Sequence, residues 1–246
     1  MTPDEIWRPL TTELARWRQT GRTAEFWLRD DDAIEPTAAL DRLLAMTAAR
    51  APVALAVIPA WTGAPLAERL ARENHVTVAV HGWSHENHAL QGEKKQELGR
   101  HLPREVVLAE LSEGRSRLEL LHAGRFAPVL VPPWNRIDAD LLPHLAGIGF
   151  SALSVFGAPR PSPLRMLNST VDIMDWRGNC GRDHAALIAE IVAQLEAAFR
   201  GVGGPVGLLS HHLVHDEVAW SFLDRLFEVT EASGACRWRS LGELLA

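Results

Sequence analysis

Short apolar runs alternate with longer segments of helical periodicity along the whole chain. This alternation is typical of βα units and argues against a strand sandwich or a helical bundle. The apolar runs predict seven strands, at residues 25–29, 53–58, 76–80, 128–131, 150–154, 170–174 and 206–210. Helices are predicted at residues 4–18, 36–50, 65–73, 104–122, 138–147, 184–199, 216–231 and 240–245.

Polar clusters follow five of the predicted strands directly. In chain order they read RDDDA, HGWSHENH, PPWNR, DWRGN and HHLVHD. The strands are apolar on both faces, as parallel strands covered by helices are. Because residues at the carboxyl ends of barrel strands converge on one site, the clusters favour an α/β barrel of the TIM type over a doubly wound sheet.

The chain of 246 residues has no linker and no internal repeat, which predicts a single domain over residues 1–246. Residues 86–103 form the one long polar interruption, expected to be a surface loop or a short solvated helix. Cys180 and Cys236 lack the spacing of a disulfide framework or a thiolate zinc site.

The charge balance restricts the partners. With 31 acidic and 25 basic residues the net charge is −6, so the chain offers no basic face for nucleic acid. No apolar run is long enough to span a membrane, and the start MTPDEIWRPL lacks a signal-peptide pattern. We therefore expect a soluble, cytoplasmic protein, and no surface stripe indicates its oligomeric state.

Two histidines, His81 and His85, lie four residues apart directly after the third predicted strand. On a helical turn such a pair projects to one side, so that both nitrogens could bind one metal ion. The alternative is a hydrogen-bonded pair of structural histidines, and the spacing alone does not separate the two.

Three adjacent carboxylates, Asp30, Asp31 and Asp32, follow the first predicted strand. Like charges at an apolar strand end are costly unless a cation lies nearby, although aspartates also cap helices well. An aspartate with two histidines makes an N2O set typical of catalytic metal sites, which leave a position open for water. Neighbouring aspartates could then divide metal binding and proton transfer between them.

In this order the motifs resemble those of the polysaccharide deacetylases of carbohydrate esterase family 4, across nearly the whole chain. The resemblance implies a distorted (β/α)7 barrel. It implies that Asp31 is the catalytic base and Asp32 a metal ligand, with Asp30 as an extra acid whose role stays open. His81 and His85 match the two histidine ligands, although Gly82 replaces the usual hydroxyl residue.

The third motif departs from the family pattern. VPPWNR keeps Pro133 and Trp134 but has Val131 where the family carries an arginine that orients the base. Either Arg29 or Arg136 is expected to supply this charge, or the base is tuned differently.

The fourth motif is complete, with Asp172 followed by Asp175 and Trp176, which by the resemblance form one wall of the groove. Trp83, Trp134 and Trp176 could stack on sugar rings or pack in the core. His88 is either a rim residue or a loop histidine.

The fifth motif matches LLSHH, and by the resemblance its histidine is the general acid. Since successive residues of a strand face opposite ways, only one of His211 and His212 should point inward, and we predict His211.

The resemblance therefore implies a metal-dependent hydrolase, with a divalent transition metal such as Zn²⁺, that removes acetyl groups from an N-acetylated sugar or glycan precursor. Two alternatives remain open at this level. One is an amidohydrolase acting on a small non-sugar amide, and the other is a barrel that binds a glycan without turnover.

Overall fold

A parallel β-sheet forms the centre of the computed structural model, which describes residues 2–246. Its strands are β1 (Ala24–Ala33), β2 (Val53–Val57), β3 (Val76–His81), β4 (Phe126–Val131), β5 (Ala152–Leu153), β6 (Arg165–Met166), β7 (Val171–Asp172), β10 (Val206–Ser210) and β11 (Cys236–Trp238). The order is β6-β5-β4-β3-β2-β1-β10-β7, and β11 pairs with the start of β1. Strands β8 (Met174–Asp175) and β9 (Cys180–Gly181) form a separate antiparallel pair.

The sheet curls into a partial barrel with β6 and β7 at its edges. A parallel bridge between Phe156 and Ser169 lies near the gap. The surrounding helices are α1 (Pro3–Gln19), α2 (Ala38–Thr47), α3 (Ala64–Leu70), α4 (Arg104–Leu121), α5 (His184–Phe199), α6 (Glu217–Ser233) and α7 (Leu241–Leu245). The predicted distorted (β/α)7 barrel is confirmed, with all seven predicted strands present.

The predicted helix at 138–147 is wrong. The segment instead forms two 3₁₀ turns, Ala139–His144 and Ala146–Ile148. Pro143 lies inside the first turn and has no N–H to donate to an α-helical ladder, which accounts for the difference. Residues 86–103 form an irregular loop, as one of the two expectations had it.

The alternation of large and small residues explains the barrel. In β2 the side chains of Val53, Leu55 and Val57 pack outward against helices, while Ala54 and Ala56 pack in the cluster that fills the interior. Helix α7 contributes Leu241 and Leu244 to that interior cluster. The same period of two places every second residue of each strand inside the barrel.

A glycine makes room for the largest interior side chain. A Cβ on Gly207 of β10 would lie 2.5 Å from Nε1 of Trp27, which faces it from β1. Any larger residue at this position would displace the Trp27 ring and the backbone at Asn168 and Ser169, to which a Cβ would come within 2.8 Å. Within residues 2–246, no helix is long and apolar enough to cross a membrane.

His122 at the end of α4 makes the fold sensitive to acid. Its side chain is buried, and neither ring nitrogen has a hydrogen-bond partner among residues 2–246. Burial, helped by the charge of Arg125, lowers the pKa of His122 to about 4. As the pH falls from 7 to 5 the unfolded chain, with an ordinary histidine pKa, takes up a proton that the folded chain does not.

We therefore expect the lowered pKa of His122 to decrease the free energy of unfolding by about 2 kcal/mol as the pH falls from 7 to 5. The variant His122→Leu should lose less stability than the parent over this interval, by that amount. Urea unfolding of both proteins at the two pH values measures the difference. Equal losses would show that His122 is not held neutral by burial.

Candidate active site

A ring of polar side chains lies at the carboxyl ends of the strands, on the face that lines the barrel interior. The period of two that places Trp27 inside also places Arg29 and Asp31 there, and Ala79 is followed in the same way by His81. On β10 the same rule turns His211 inward. Of these residues, Asp31, His81 and His211 border a cleft of about 660 Å³. Its lining consists of Asp31, Asp32, His81, His85, Lys95, Trp134, Asn135, Arg136, Phe156, Asp172, Trp176 and His211.

Asp32, His81 and His85 form a group of three potential metal ligands, whose donor atoms all lie within 4.8 Å of one another. Oδ1 of Asp32 lies 2.9 Å from Nε2 of His81 and 3.3 Å from Nε2 of His85. Asp32 and His85 both have left-handed backbones, with φ of 73° and 59°. Such conformations are costly for non-glycine residues and cluster at functional sites.

The donor atoms fit a cation. Nδ1 of His81 lies 2.9 Å from the carbonyl oxygen of Val131, which can only accept, so Nδ1 carries the proton. A neutral His81 then presents the lone pair of Nε2 to a carboxylate oxygen of Asp32, and two acceptors at this distance repel unless a proton or a cation lies between them. Burial alone would raise the pKa of Asp32. When His81 carries a proton on both ring nitrogens, its hydrogen bond and charge instead hold the pKa of Asp32 well below its usual range.

Arg29 holds Asp31 in place from the neighbouring layer of the barrel. Nε of Arg29 lies 2.9 Å from Oδ1 of Asp31, a close ionic contact, and Nη2 donates to Oδ2 at 3.0 Å. Both side chains are almost completely buried, at 1% and 3% exposure. Arg136 has no such contact: its Nη1 donates to the carbonyl oxygen of Lys95 at 2.8 Å.

Two residues that sequence reasoning missed complete the environment of Arg29. Nη1 donates to the hydroxyl of Ser154 at 2.9 Å, and Nη2 donates to Oδ1 of Asn135 at 2.7 Å. Ser154 follows β5 on its inward face. Asn135 follows Trp134, and both have positive φ, of 57° and 53°. The only sequence signal was Asn in a proline-rich turn, a residue that tolerates this conformation.

Asp30 faces the opposite side of β1 and lies outside the group of three potential metal ligands. It is fully buried, and its Oδ1 lies 2.5 Å from Nδ1 of His212. Its Oδ2 accepts hydrogen bonds from the hydroxyl of Ser210 at 2.6 Å and from the backbone N–H of His212 at 3.0 Å. Although burial alone would lower the pKa of His212, the charge of Asp30 raises it. The pair therefore ties the end of β10 to β1.

His211 faces the cleft from the end of β10. Its Nε2 lies 3.9 Å from Oδ2 of Asp31. The Trp176 ring meets it edge to face, with ring centroids 4.5 Å apart, and Nε1 of Trp176 donates to Asp172 at 2.7 Å. Burial raises the pKa of Asp172.

The predicted substrate-binding residues fall into two groups. Trp134 and Trp176 line the cleft, and Trp176 is 52% exposed. Pro133 is buried, and Trp83 faces α4, where its ring would lie 3.3 Å from a Cβ on Gly114. Asp175 borders a neighbouring groove that shares Phe156, Asp172 and Trp176 with the cleft. His88 lies in the loop and is not part of the cleft lining.

Glu97 is a buried carboxylate that no sequence motif singled out. Its Oε1 accepts hydrogen bonds from the backbone N–H groups of Trp83 at 2.9 Å and Ser84 at 2.7 Å. A Cβ at Gly82 would collide with its Oε2. Gly82, with φ of 59°, therefore replaces the usual hydroxyl residue of the motif because Glu97 occupies that space.

Comparisons with known proteins match the fold. No protein-family model and no curated protein matches the sequence. Among solved structures, a protein from Mycobacterium smegmatis assigned as a polysaccharide deacetylase superposes with a TM-score of 0.65 at 20% identity, over 92% of this chain and 90% of that one. The peptidoglycan deacetylase PdaC from Bacillus subtilis gives 0.55 at 15% identity, over 91% and 90%.

A third match is a family 4 acetyl xylan esterase from Clostridium thermocellum, solved with a cobalt ion, with a TM-score of 0.55 at 15% identity over 89% of each chain. The chain has the fold of the polysaccharide deacetylases. Identities this low establish a shared fold and leave the substrate to be argued from the site.

Within the deacetylase fold, the departure at Val131 has a structural counterpart. Val131 faces the interior from β4 and packs in its apolar cluster, so that position carries no charge. Arg29 reaches Asp31 from β1 instead. Of the two arginines that the sequence left open, the structure brings Arg29 to Asp31 and places Arg136 at the edge of the cleft.

Proposed function

We propose that the chain is a metal-dependent carbohydrate deacetylase that removes acetyl groups from an N-acetylated sugar. The observation that carries the proposal is the joint placement of the Asp32, His81 and His85 donor atoms, the Asp31–Arg29 pair and His211 around one cleft. A carboxylate and two imidazoles suit Zn²⁺ and other divalent transition metals. When bound, the ion would act as a Lewis acid on the acetyl carbonyl and lower the pKa of water.

The residues of the chain divide the proton transfers between them. Asp31 is held by Arg29 with its carboxylate at the cleft, where it can take a proton from the attacking water. His211 stands 3.9 Å from Asp31 on the neighbouring strand, where it can give a proton to the departing amine. Trp176 packs against His211 and fixes the plane of its ring.

The shape of the cleft favours a sugar as the substrate over a small amide, which would need a closed pocket. Trp134 and the exposed Trp176 offer flat faces at two sides, and the cleft continues past Trp176 into the neighbouring groove. Flat aromatic faces suit pyranose rings. The absence of an arginine at Val131 is the sequence feature that favours a glycan-binding barrel without turnover. Because Arg29 supplies that charge to Asp31, we give this alternative less weight.

Acetate release from short N-acetylglucosamine oligomers tests the proposed function. We expect release that stops after chelation and returns when Zn²⁺ or Co²⁺ is added, since the donor set accepts both. Release of acetate that is insensitive to chelation would contradict the metal dependence. A folded, metal-loaded protein that releases no acetate from any N-acetyl sugar would contradict the substrate class.

Substitutions at the two adjacent histidines should have different effects, one on catalysis and the other on stability. We expect His211→Gln to lower kcat by about 10²-fold or more, because a general acid is lost, with little change in stability. His212→Gln breaks the buried contact with Asp30 and should lower the free energy of unfolding by about 3 kcal/mol. Acetate assays at a temperature where both variants are folded, with urea unfolding, measure the contrast. The reverse pattern would assign the acid to His212.

A further inference from the structure

Two cations line the cleft and have no carboxylate partner. Among residues 2–246, neither Lys95 nor Arg136 has a carboxylate oxygen within 4.0 Å. Arg29, which is buried behind the cleft, is neutralised by Asp31, whereas Lys95 is exposed and Arg136 is half-buried. Arg136 is fixed by its hydrogen bond to the carbonyl oxygen of Lys95, which uses only one of its N–H groups.

None of the acidic groups in the loop that carries Lys95 lines the cleft. Glu93 lies 3.5 Å from His101 and accepts a hydrogen bond from the backbone N–H of Leu90 at 3.1 Å. Glu97 is buried beneath the histidine turn, where it binds backbone N–H groups. The loop thus leaves its positive charge facing the cleft, in a chain whose net charge is −6. An uncompensated pair of cations at a cleft attracts anions.

Trp134 lies between these cations and the metal ligands. The centroid of its ring is 4.4 Å from that of His85 and 5.8 Å from the Lys95 ammonium. The other side of the cleft carries Asp172 with Trp176. The cleft is therefore polarised, with its positive end beyond Trp134.

On the basis of the proposed function, we propose that the substrate is an N-acetyl sugar that carries an anionic group, a phosphate or a carboxylate, bound by Lys95 and Arg136. The acetyl group lies at the Asp32, His81 and His85 ligands, the sugar ring beside Trp134, and the anion at the two cations. A guanidinium with free N–H groups matches the paired oxygens of either anion.

Acetate release from three N-acetylglucosamine derivatives tests this site. The probes are the neutral methyl glycoside, the 1-phosphate, and N-acetylmuramic acid with its carboxylate. We expect kcat/KM for at least one anionic probe to exceed that of the neutral probe by about tenfold or more, decreasing as NaCl rises. A comparison of the phosphate probe with the carboxylate probe shows which anion is preferred.

Variants locate the effect. In Lys95→Met/Arg136→Met the anionic preference should fall by about tenfold or more, and Lys95→Arg should retain it because the charge remains and the Arg136 guanidinium is unchanged. Lys94→Met is the matched control, since Lys94 is exposed and does not line the cleft. A preference that is absent in the parent, or unchanged in the double methionine variant, overturns the proposal.

A binding measurement tests the anion site without requiring turnover. Tryptophan fluorescence follows binding of N-acetylglucosamine 1-phosphate and of the neutral glycoside to the parent and to the double methionine variant. If no probe releases acetate, the deacetylase function fails. Tighter binding of the phosphate to the parent alone still supports the anion site, and equal affinities refute it.

Discussion

Replacing Asp31 by asparagine is expected to lower kcat/KM for acetate release by about 10³-fold or more, because the proposed base is lost while the metal ligands stay. Asp31 is outside the group formed by Asp32, His81 and His85, so the variant should bind metal as the parent does. Steady-state kinetics and metal content of the same preparation measure both effects. Asp224→Asn, which breaks a surface ion pair with Arg50, is the matched control and should keep full activity.

Asp31→Asn also leaves Arg29 buried without its partner, so folding must be checked in parallel. Circular dichroism and urea unfolding of Asp31→Asn separate a lost base from a lost fold. Activity equal to that of the parent in a folded variant would refute Asp31 as the base. A simultaneous loss of metal would assign the carboxylate a ligand role instead.

Replacing Arg29 by methionine is expected to lower the free energy of unfolding by about 3 to 5 kcal/mol. The substitution leaves the carboxylate of Asp31 buried and deprived of its cation, and it leaves Ser154 and Asn135 without their donor. Urea unfolding at neutral pH measures the change. Arg136→Met is the control, because that side chain is partly exposed and has no carboxylate partner within 4.0 Å among residues 2–246, and it should cost under about 1 kcal/mol.

The double variant Arg29→Met/Asp31→Asn tests the pairing directly. Removing both charges avoids an unpaired buried ion, so the double variant should be more stable than the sum of the two single effects predicts, by about 1 kcal/mol or more. Strictly additive losses would show that the two residues do not act as a pair. Equal destabilisation by Arg136→Met and Arg29→Met would remove the special role of Arg29.

The strand pattern made much of the fold predictable. Runs such as VALAV and VTVAVH alternate residues that face the helices with residues that face the interior, so both the strands and the inward direction of His81 follow from local sequence. The same period distinguished His211 from His212, and the structure places His211 at the cleft.

Other features depend on how distant segments meet. The contacts of Arg29 with Ser154 and Asn135 join β1 to residues more than a hundred positions away, which no local pattern encodes. Glu97 looked like one more polar loop residue until the fold placed it beneath Gly82. The period of two also turns Asp30 toward His212. The three adjacent acids therefore divide between the pair with His212, the pair with Arg29 and the group of potential metal ligands.

Metal content of the purified protein tests the central claim most directly, measured by elemental analysis for the parent and for His81→Ala after equilibration with Zn²⁺. We expect about one transition-metal ion per chain in the parent, since Asp32, His81 and His85 are the three proposed protein ligands of a catalytic site. His81→Ala should bind none and release no acetate. A folded parent that takes up no metal, or a His81→Ala variant that keeps its ion, would contradict the assigned site.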